Sequence, residues 1–163
     1  MKTALYPGSF DPFTRGHLDI LKSALKVFDK VEIAVGYNYL KKGFLSVDNR
    51  IRLIENALEI AILNDENLKD RIVVKSYQGL TVDFCKQENI NIIVRGLRFV
   101  QDFEAELAVA QGNTIMNSTV QTVFLPAITE TSFISSTMVR DVYQNGGDIN
   151  VLIPKGVKIN DYL

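Results

Sequence analysis

The sequence predicts a doubly wound α/β fold, a five-stranded parallel sheet with helices on both faces. Three observations carry the prediction. Short apolar runs alternate with longer amphipathic stretches from end to end. Most of the short runs are apolar throughout rather than alternating, as strands buried on both faces require. No repeat, low-complexity segment or linker interrupts the order, so residues 1–163 read as one domain.

In order, residues 3–6 form a first strand, stopped by Pro7-Gly8. Leu18, Ile20, Leu21, Leu25 and Phe28 then recur at roughly helical spacing. Residues 31–35 are a second strand. Residues 47–63 make a long helix whose apolar face is Ile51, Leu53, Ile54, Leu58, Ile62 and Leu63. A third strand spans 72–74, a helix 81–88, a fourth strand 90–94, a helix 102–113 and a fifth strand 120–125. A last helix, 135–143, meets Asn145-Gly146-Gly147, a sequence suited to a C-cap. In such sheets ligands bind beyond the C-terminal strand ends, which singles out the loops after Tyr6, Val35, Val74, Val94 and Leu125.

Composition narrows the function. Eighteen Lys and Arg against nineteen Asp and Glu leave no broad basic surface, so neither nucleic acid nor an anionic membrane is an expected partner. The first strand reaches Pro7-Gly8 too soon for a signal peptide, and no apolar run is long enough to span a bilayer. The single cysteine, Cys85, forms no internal disulfide and suits a reducing cytoplasm. Set beside Val82 and Phe84, it reads as a buried small hydrophobe rather than a nucleophile.

Two strings carry chemistry. The first loop reads Tyr6-Pro7-Gly8-Ser9-Phe10-Asp11-Pro12-Phe13-Thr14-Arg15-Gly16-His17 and holds the only histidine. Thr14 is placed to cap a helix. Gly16 removes a side chain where that helix starts, leaving room for a phosphate at the backbone N–H groups. Neither a Gly-Lys-Ser/Thr phosphate loop nor GxGxxG is present. The second string, Ser132-Phe133-Ile134-Ser135-Ser136-Thr137-Met138-Val139-Arg140, is a hydroxyl-rich helix start, which is also a cradle for a phosphate tail.

Thr14-x-Gly16-His17 resembles the (H/T)xGH signature of the nucleotidylyltransferase superfamily, and the second string resembles its partner motif, ISSTxxR. Lys41-Lys42, Arg95-Gly96-Leu97-Arg98, Asp102-Phe103-Glu104-x-Glu106, Gly147-Asp148-Ile149 and Pro154 extend the resemblance over the whole chain to the pantetheine-phosphate adenylyltransferase family. Gly43 stands where proline is common there, and Thr131 where an aromatic residue often stands. The resemblance implies a Rossmann-like nucleotidylyltransferase fold. It also implies transfer of AMP from ATP to 4'-phosphopantetheine, giving dephospho-coenzyme A and pyrophosphate, with Mg²⁺ accompanying ATP. A homohexamer and feedback inhibition by coenzyme A are implied as well.

Roles carry over residue by residue. His17 donates to the α-phosphate, as either a neutral or a cationic imidazole. Ser9 and the Phe10 amide bind the same region. Lys41 and Arg95 hold the attacking phosphate, and Thr81 contacts the pantetheine. Gly96, Leu97, Arg98 and Glu106 match ATP contacts, with Arg98 among the catalytic set. Thr131, Ser132, Phe133, Ile134, Ser135, Ser136 and Thr137 wrap the nucleotide. Asp11 reads first as a turn cap and second as an aid to Mg²⁺. No side chain is expected to act as general base, because a phosphomonoester with a second pKa of about 6 attacks as its dianion. The competing readings are a related transferase with another acceptor, such as nicotinate mononucleotide or glycerol phosphate, and an inactive nucleotide-fold module.

Overall fold

The structure, a computed structural model, describes residues 1–38, 40–62 and 66–163. Its elements in chain order are β1 (Thr3–Gly8), α1 (Arg15–Ala24), β2 (Lys30–Tyr37), α2 (Val47–Ile62), α3 (Glu66–Lys69) and β3 (Ile72–Gln78). They continue with α4 (Thr81–Glu88), β4 (Ile92–Leu97), α5 (Val100–Met116), β5 (Gln121–Pro126), α6 (Ser136–Gln144) and a terminal 3₁₀ turn, Ile159–Tyr162. The sheet is wholly parallel, in the order β3-β2-β1-β4-β5. The chain winds outward from β1 to β3, then crosses back to place β4 on the other side of β1. Strand order therefore reverses between β1 and β4, where a doubly wound sheet opens a crevice.

Side chains alternate across the sheet, as the strand period requires. Ala4, Tyr6, Val31, Ile33 and Val35 join Leu21, Ala24, Leu53, Ile54 and Ala57 in one core. Leu5, Ala34 and Ile93 face the other way, against Phe84, Cys85, Ile90 and Val120. Each large apolar side chain fully buried this way contributes about 1.5–3 kcal/mol. Cys85 is packed inside, and burial pushes its thiol up to about 11, the behaviour of a small hydrophobe.

Several boundaries differ from the sequence reading. β1 runs through Pro7-Gly8, paired to Ala34 and Val35. On its other side β1 is in register with β4 at Leu5 and Ile93, and the Pro7 carbonyl accepts from the Arg95 side chain instead of a strand. β4 begins at Ile92 rather than 90, because Asn89 ends α4 in the left-handed region at φ 55°. Ile90 is buried in the connection. α1 stops at Ala24, and Phe28 reaches the core from the turn beyond it. α5 starts at Val100 because Asp102 caps the Arg98 and Phe99 amides rather than opening the helix. Ser135 is the N-cap of α6 rather than its first residue, and Gly146, at φ 73°, follows the Asn145 C-cap as expected. Leu63, assigned to the α2 face, lies outside the described residues. No helix among the described residues is long and apolar enough to cross a membrane.

One buried group is costly. Glu32 on β2 faces α4, where Lys75 Nζ lies 3.3 Å from its Oε2 and also contacts Glu88. Its Oε1 is buried without a hydrogen-bond partner among the described residues. Burial raises the Glu32 pKa, Lys75 opposes the rise and Glu88 adds to it. The folded state thus holds this proton at pH values where the unfolded chain has lost it. Its contribution to stability is full below the unfolded pKa and is lost as pH rises through the folded one. Calorimetry of Glu32→Gln against wild type should show the difference in Tm moving in the variant's favour from acid to neutral pH. Each kcal/mol amounts to about 2–4 °C in a chain of this size. A pH-independent difference would remove the titration from Glu32.

Candidate active site

The first loop leaves β1 through Ser9 and turns at Phe10, whose φ of 46° is left-handed. The turn sends the Phe10 ring inward beneath Gly8, where a Cβ would meet Cζ at 2.9 Å. The Phe10 ring then meets His17 edge-on at 5.1 Å, and Phe13 stacks on the imidazole at 5.5 Å. Two buried aromatics therefore fix the plane of the one histidine.

Its hydrogen bonds fix the tautomer. Thr14 caps α1 by accepting the His17 amide on Oγ1 at 3.3 Å, and His17 Nδ1 accepts the Thr14 amide at 3.0 Å. Thr14 Oγ1 also lies 3.1 Å from Nδ1. With Nδ1 accepting a backbone proton, the ring proton sits on Nε2. Burial, reinforced by Arg95 and Arg98, pushes the imidazole pKa down to about 3. Of the two states open at the sequence level, the structure selects the neutral one, with Nε2–H as a donor.

The helix start is less open than Gly16 suggested. The Arg15 amide donates to the Leu152 carbonyl at 3.0 Å and the His17 amide to Thr14, so two of the first three N–H groups are engaged. A Cβ on Gly16 would lie 3.3 Å from the carbonyl oxygens of both Thr131 and Ile134. Gly16 thus lets α1 dock against the second string. The buried Thr131 hydroxyl donates to Asp19 Oδ2 at 2.6 Å, tying that string to α1. Ser136 Oγ donates to the Pro12 carbonyl at 2.8 Å, and Arg140 Nη1 to the Asp11 carbonyl at 2.7 Å. Ser135 Oγ caps α6 through the Met138 amide, and Thr137 Oγ1 accepts from Arg140.

Two cavities open at the C-terminal edge of the sheet. The smaller, about 300 Å³, is lined by Phe10, Gly16, His17, Gly96, Arg98, Thr131, Ile134, Ser135 and Ser136. The larger, about 830 Å³, is lined by Lys41, Lys42, Tyr77, Thr81 and the α5 residues Val109 and Asn113. Pro7, Gly8, Ser9, Arg95 and Glu106 line both and form the wall between them. Every residue assigned to the acceptor lies in the larger cavity. Most of those assigned to ATP lie in the smaller, but Leu97, Ser132, Phe133 and Thr137 do not line it.

Charge is concentrated on that wall. Arg95 donates through Nε and Nη2 to both Glu106 oxygens, at 2.7 and 2.5 Å, and through Nη1 to the Pro7 carbonyl at 2.6 Å. Arg95 and Glu106 were expected on different substrates and instead meet as a bidentate pair. Arg98 pairs with Asp102 at 3.2 Å, and Thr81 Oγ1 lies 2.8 Å from the Tyr77 hydroxyl. Asp11 is engaged as a cap, accepting the Phe44 and Leu45 amides. Arg50, Arg140 and Asp19 were not singled out. Arg50 left a trace, since it lies four residues before Ile54 and so on the apolar face of α2. Asp19 left only its place beside the first string.

The cytidylyltransferase-like family model matches residues 5–142. The phosphopantetheine adenylyltransferase of Flavobacterium psychrophilum is 45% identical over 161 residues, 98% of this chain and 99% of that protein. The chain belongs to the phosphopantetheine adenylyltransferase family. A second member, from Clostridium novyi, is 41% identical and covers 96% of this chain and 92% of its own. Among solved structures, a bifunctional NMN adenylyltransferase/ADP ribose pyrophosphatase from Francisella tularensis superposes with a TM-score of 0.74 at 16% identity. The match covers 97% of this chain and 46% of that one, and at such identity it shows a shared fold. The Rossmann-like nucleotidylyltransferase architecture read from the two strings is the one found, and the chain is a nucleotidyltransferase of this family.

Proposed function

We propose that the chain transfers the adenylyl group of ATP to 4'-phosphopantetheine, releasing pyrophosphate and dephospho-coenzyme A. The observation that carries this reading is the common wall. Two cavities lined by the expected nucleotide and acceptor residues meet at Ser9, Arg95 and Glu106. A phosphate in one can thus face a phosphate in the other, and the larger cavity suits an elongated acceptor.

Lys41 and Arg95 hold the acceptor phosphate dianion against its repulsion from ATP. One of its oxygens forms a bond to the α-phosphorus while the bond from that phosphorus to the bridging oxygen breaks. His17 Nε2–H and the Ser9 hydroxyl donate to the α-phosphate as charge builds there. Arg98, with Ser135 and Ser136, would receive the departing pyrophosphate, a reading supported by their shared place in the smaller cavity. The nucleophile has no proton to lose, so no general base is needed. Among the described residues no three His, Cys, Asp or Glu side chains converge as a metal cage. Mg²⁺ would accompany the triphosphate and offset its charge.

The remaining readings are a single domain over residues 1–163, a cytoplasmic location, a homohexamer and feedback by coenzyme A. The hexamer has physical support in α5. Val100, Phe103, Val109, Ile115 and Met116 are exposed, and Asn113 is the helix's one buried residue. An apolar helix left so open needs a cover. Coenzyme A would compete for both cavities, since it resembles the product.

Pyrophosphate release should be measured with ATP or CTP and a panel of acceptors. Release should require ATP together with 4'-phosphopantetheine. Equal release with nicotinate mononucleotide or glycerol phosphate would overturn the acceptor. Sedimentation showing only monomer at micromolar concentration would remove the hexamer.

A further inference from the structure

We infer that Asp11 is a positioning residue: it registers the loop that carries Lys41 onto the loop that carries Ser9, and so sets the approach of the acceptor phosphate. This rests on the role proposed for Lys41. Residues 41–45 have no helix or strand to hold them. The Lys41 amide donates to the Asn38 carbonyl at 3.0 Å, and at the other end the segment is held by Asp11, a residue 8% exposed. Its Oδ1 accepts the Leu45 amide and its Oδ2 the Phe44 amide, each at 2.8 Å. Arg50, 7% exposed, closes the arrangement from α2. Its Nε lies 3.3 Å from Oδ1 and donates to the Leu45 carbonyl at 3.0 Å, and its Nη1 donates to the Ser9 carbonyl at 3.3 Å.

The pair occupies the space beside Gly43. A Cβ there would lie 1.9 Å from Arg50 Nη2 and 3.0 Å from Asp11 Oδ2, so the loop backbone packs directly on the charges. On the opposite side, Arg140 grips the Asp11 carbonyl and Ser136 that of Pro12. Asp11 is therefore the residue at which both nucleotide strings and the Lys41 loop meet. Two amides take two of the roughly four lone-pair sites of the carboxylate, and the Arg50 guanidinium lies against it as an ion pair. The reach from Phe44 to Lys41 is three residues, short enough for a displaced amide to displace the lysine.

Asp11→Asn keeps the shape but puts an NH₂ where an oxygen accepted an amide, so one of the two bonds must be lost. In the full-length protein, kcat/KM for 4'-phosphopantetheine should fall roughly 10²-fold, the scale of an ångström of misplacement. ATP titration and the Mg²⁺ dependence of the rate should be unchanged. Arg50→Gln should show the same split. Because Asp11 acts through Lys41, Asp11→Asn should add nothing to Lys41→Ala. Full additivity of those two changes would overturn the inference, as would a raised Mg²⁺ requirement, which would make Asp11 a metal ligand. Hydrogen exchange at the Phe44 and Leu45 amides tests the tether without any substrate. Faster exchange in Asp11→Asn supports it, and unchanged exchange rejects it, whichever acceptor the enzyme proves to use.

Discussion

His17→Ala is expected to lower kcat about 10²–10³-fold, the value of one preorganised donor to the developing charge. KM for ATP should change far less, because the lost contact strengthens only as charge builds on the α-phosphate. The structure adds a pH signature. An imidazole pushed down to about 3 stays neutral across the working range, so it sets no limb of the pH–rate profile there. The acidic limb belongs to the acceptor phosphate, near its second pKa of about 6, and should persist in the variant. Stability should respond differently. The unfolded chain protonates this histidine near its ordinary 6.5 and the folded chain only near 3. The stability linked to it is full above 6.5 and is lost as pH falls toward 3, a loss that His17→Ala should abolish. The same variant loses one half of the Thr14–His17 capping box, the Nδ1 acceptor of the Thr14 amide, while the amide of residue 17 still donates to Thr14. Rapid-quench or steady-state pyrophosphate assays check the first effect, and pH-dependent unfolding checks the second. A variant with near wild-type kcat would withdraw the role from His17.

The alternation of apolar runs was enough to read every strand of the sheet, because parallel strands covered on both faces write themselves as unbroken Val, Ile and Leu. What it could not show was where strands stop. Ile90 is as apolar as Ile92, and the left-handed Asn89 decides between them. Pro7 looks like a terminator, yet it stays in β1 opposite Ala34, with its carbonyl taken by the Arg95 side chain. The two strings located the site because their chemistry is local. The parts that lie far apart in sequence left weaker traces. Arg50 is charged on an apolar helix face, a sign of a buried partner, but nothing nearby names Asp11 as that partner, 39 positions earlier. Gly16 was read through a phosphate and Thr131 through the nucleotide. In three dimensions they first serve the joint between α1 and the second string. The pairing of Arg95 with Glu106 depends on β4 and α5 packing side by side, whereas the family resemblance assigned the two to opposite substrates.

That pairing makes Arg95→Lys a severe change although charge is conserved. The apolar run Ile92-Ile93-Val94 carries Arg95 to the wall shared by both cavities. There three of the five guanidinium N–H donors are used in one plane, two on Glu106 and one on the Pro7 carbonyl, leaving two for a phosphate. An ammonium on a flexible stem can reach one of these partners but cannot form the fork. The side chains are only 33% and 20% exposed, but Arg95→Lys keeps a cation opposite Glu106, so no buried charge is left without its counter-charge. Unfolding temperature should therefore shift little. The loss should appear in reaction instead, because the acceptor phosphate meets a cation free to point elsewhere. A fall of roughly 10²–10³ in kcat/KM for 4'-phosphopantetheine is expected, with ATP titration largely preserved. Glu106→Gln retains one acceptor for the fork and should be milder. If Glu106→Gln proved the more damaging of the two while ATP still bound, the carboxylate itself would be serving the chemistry. Arg95 would then lose its place as the group that holds the attacking phosphate.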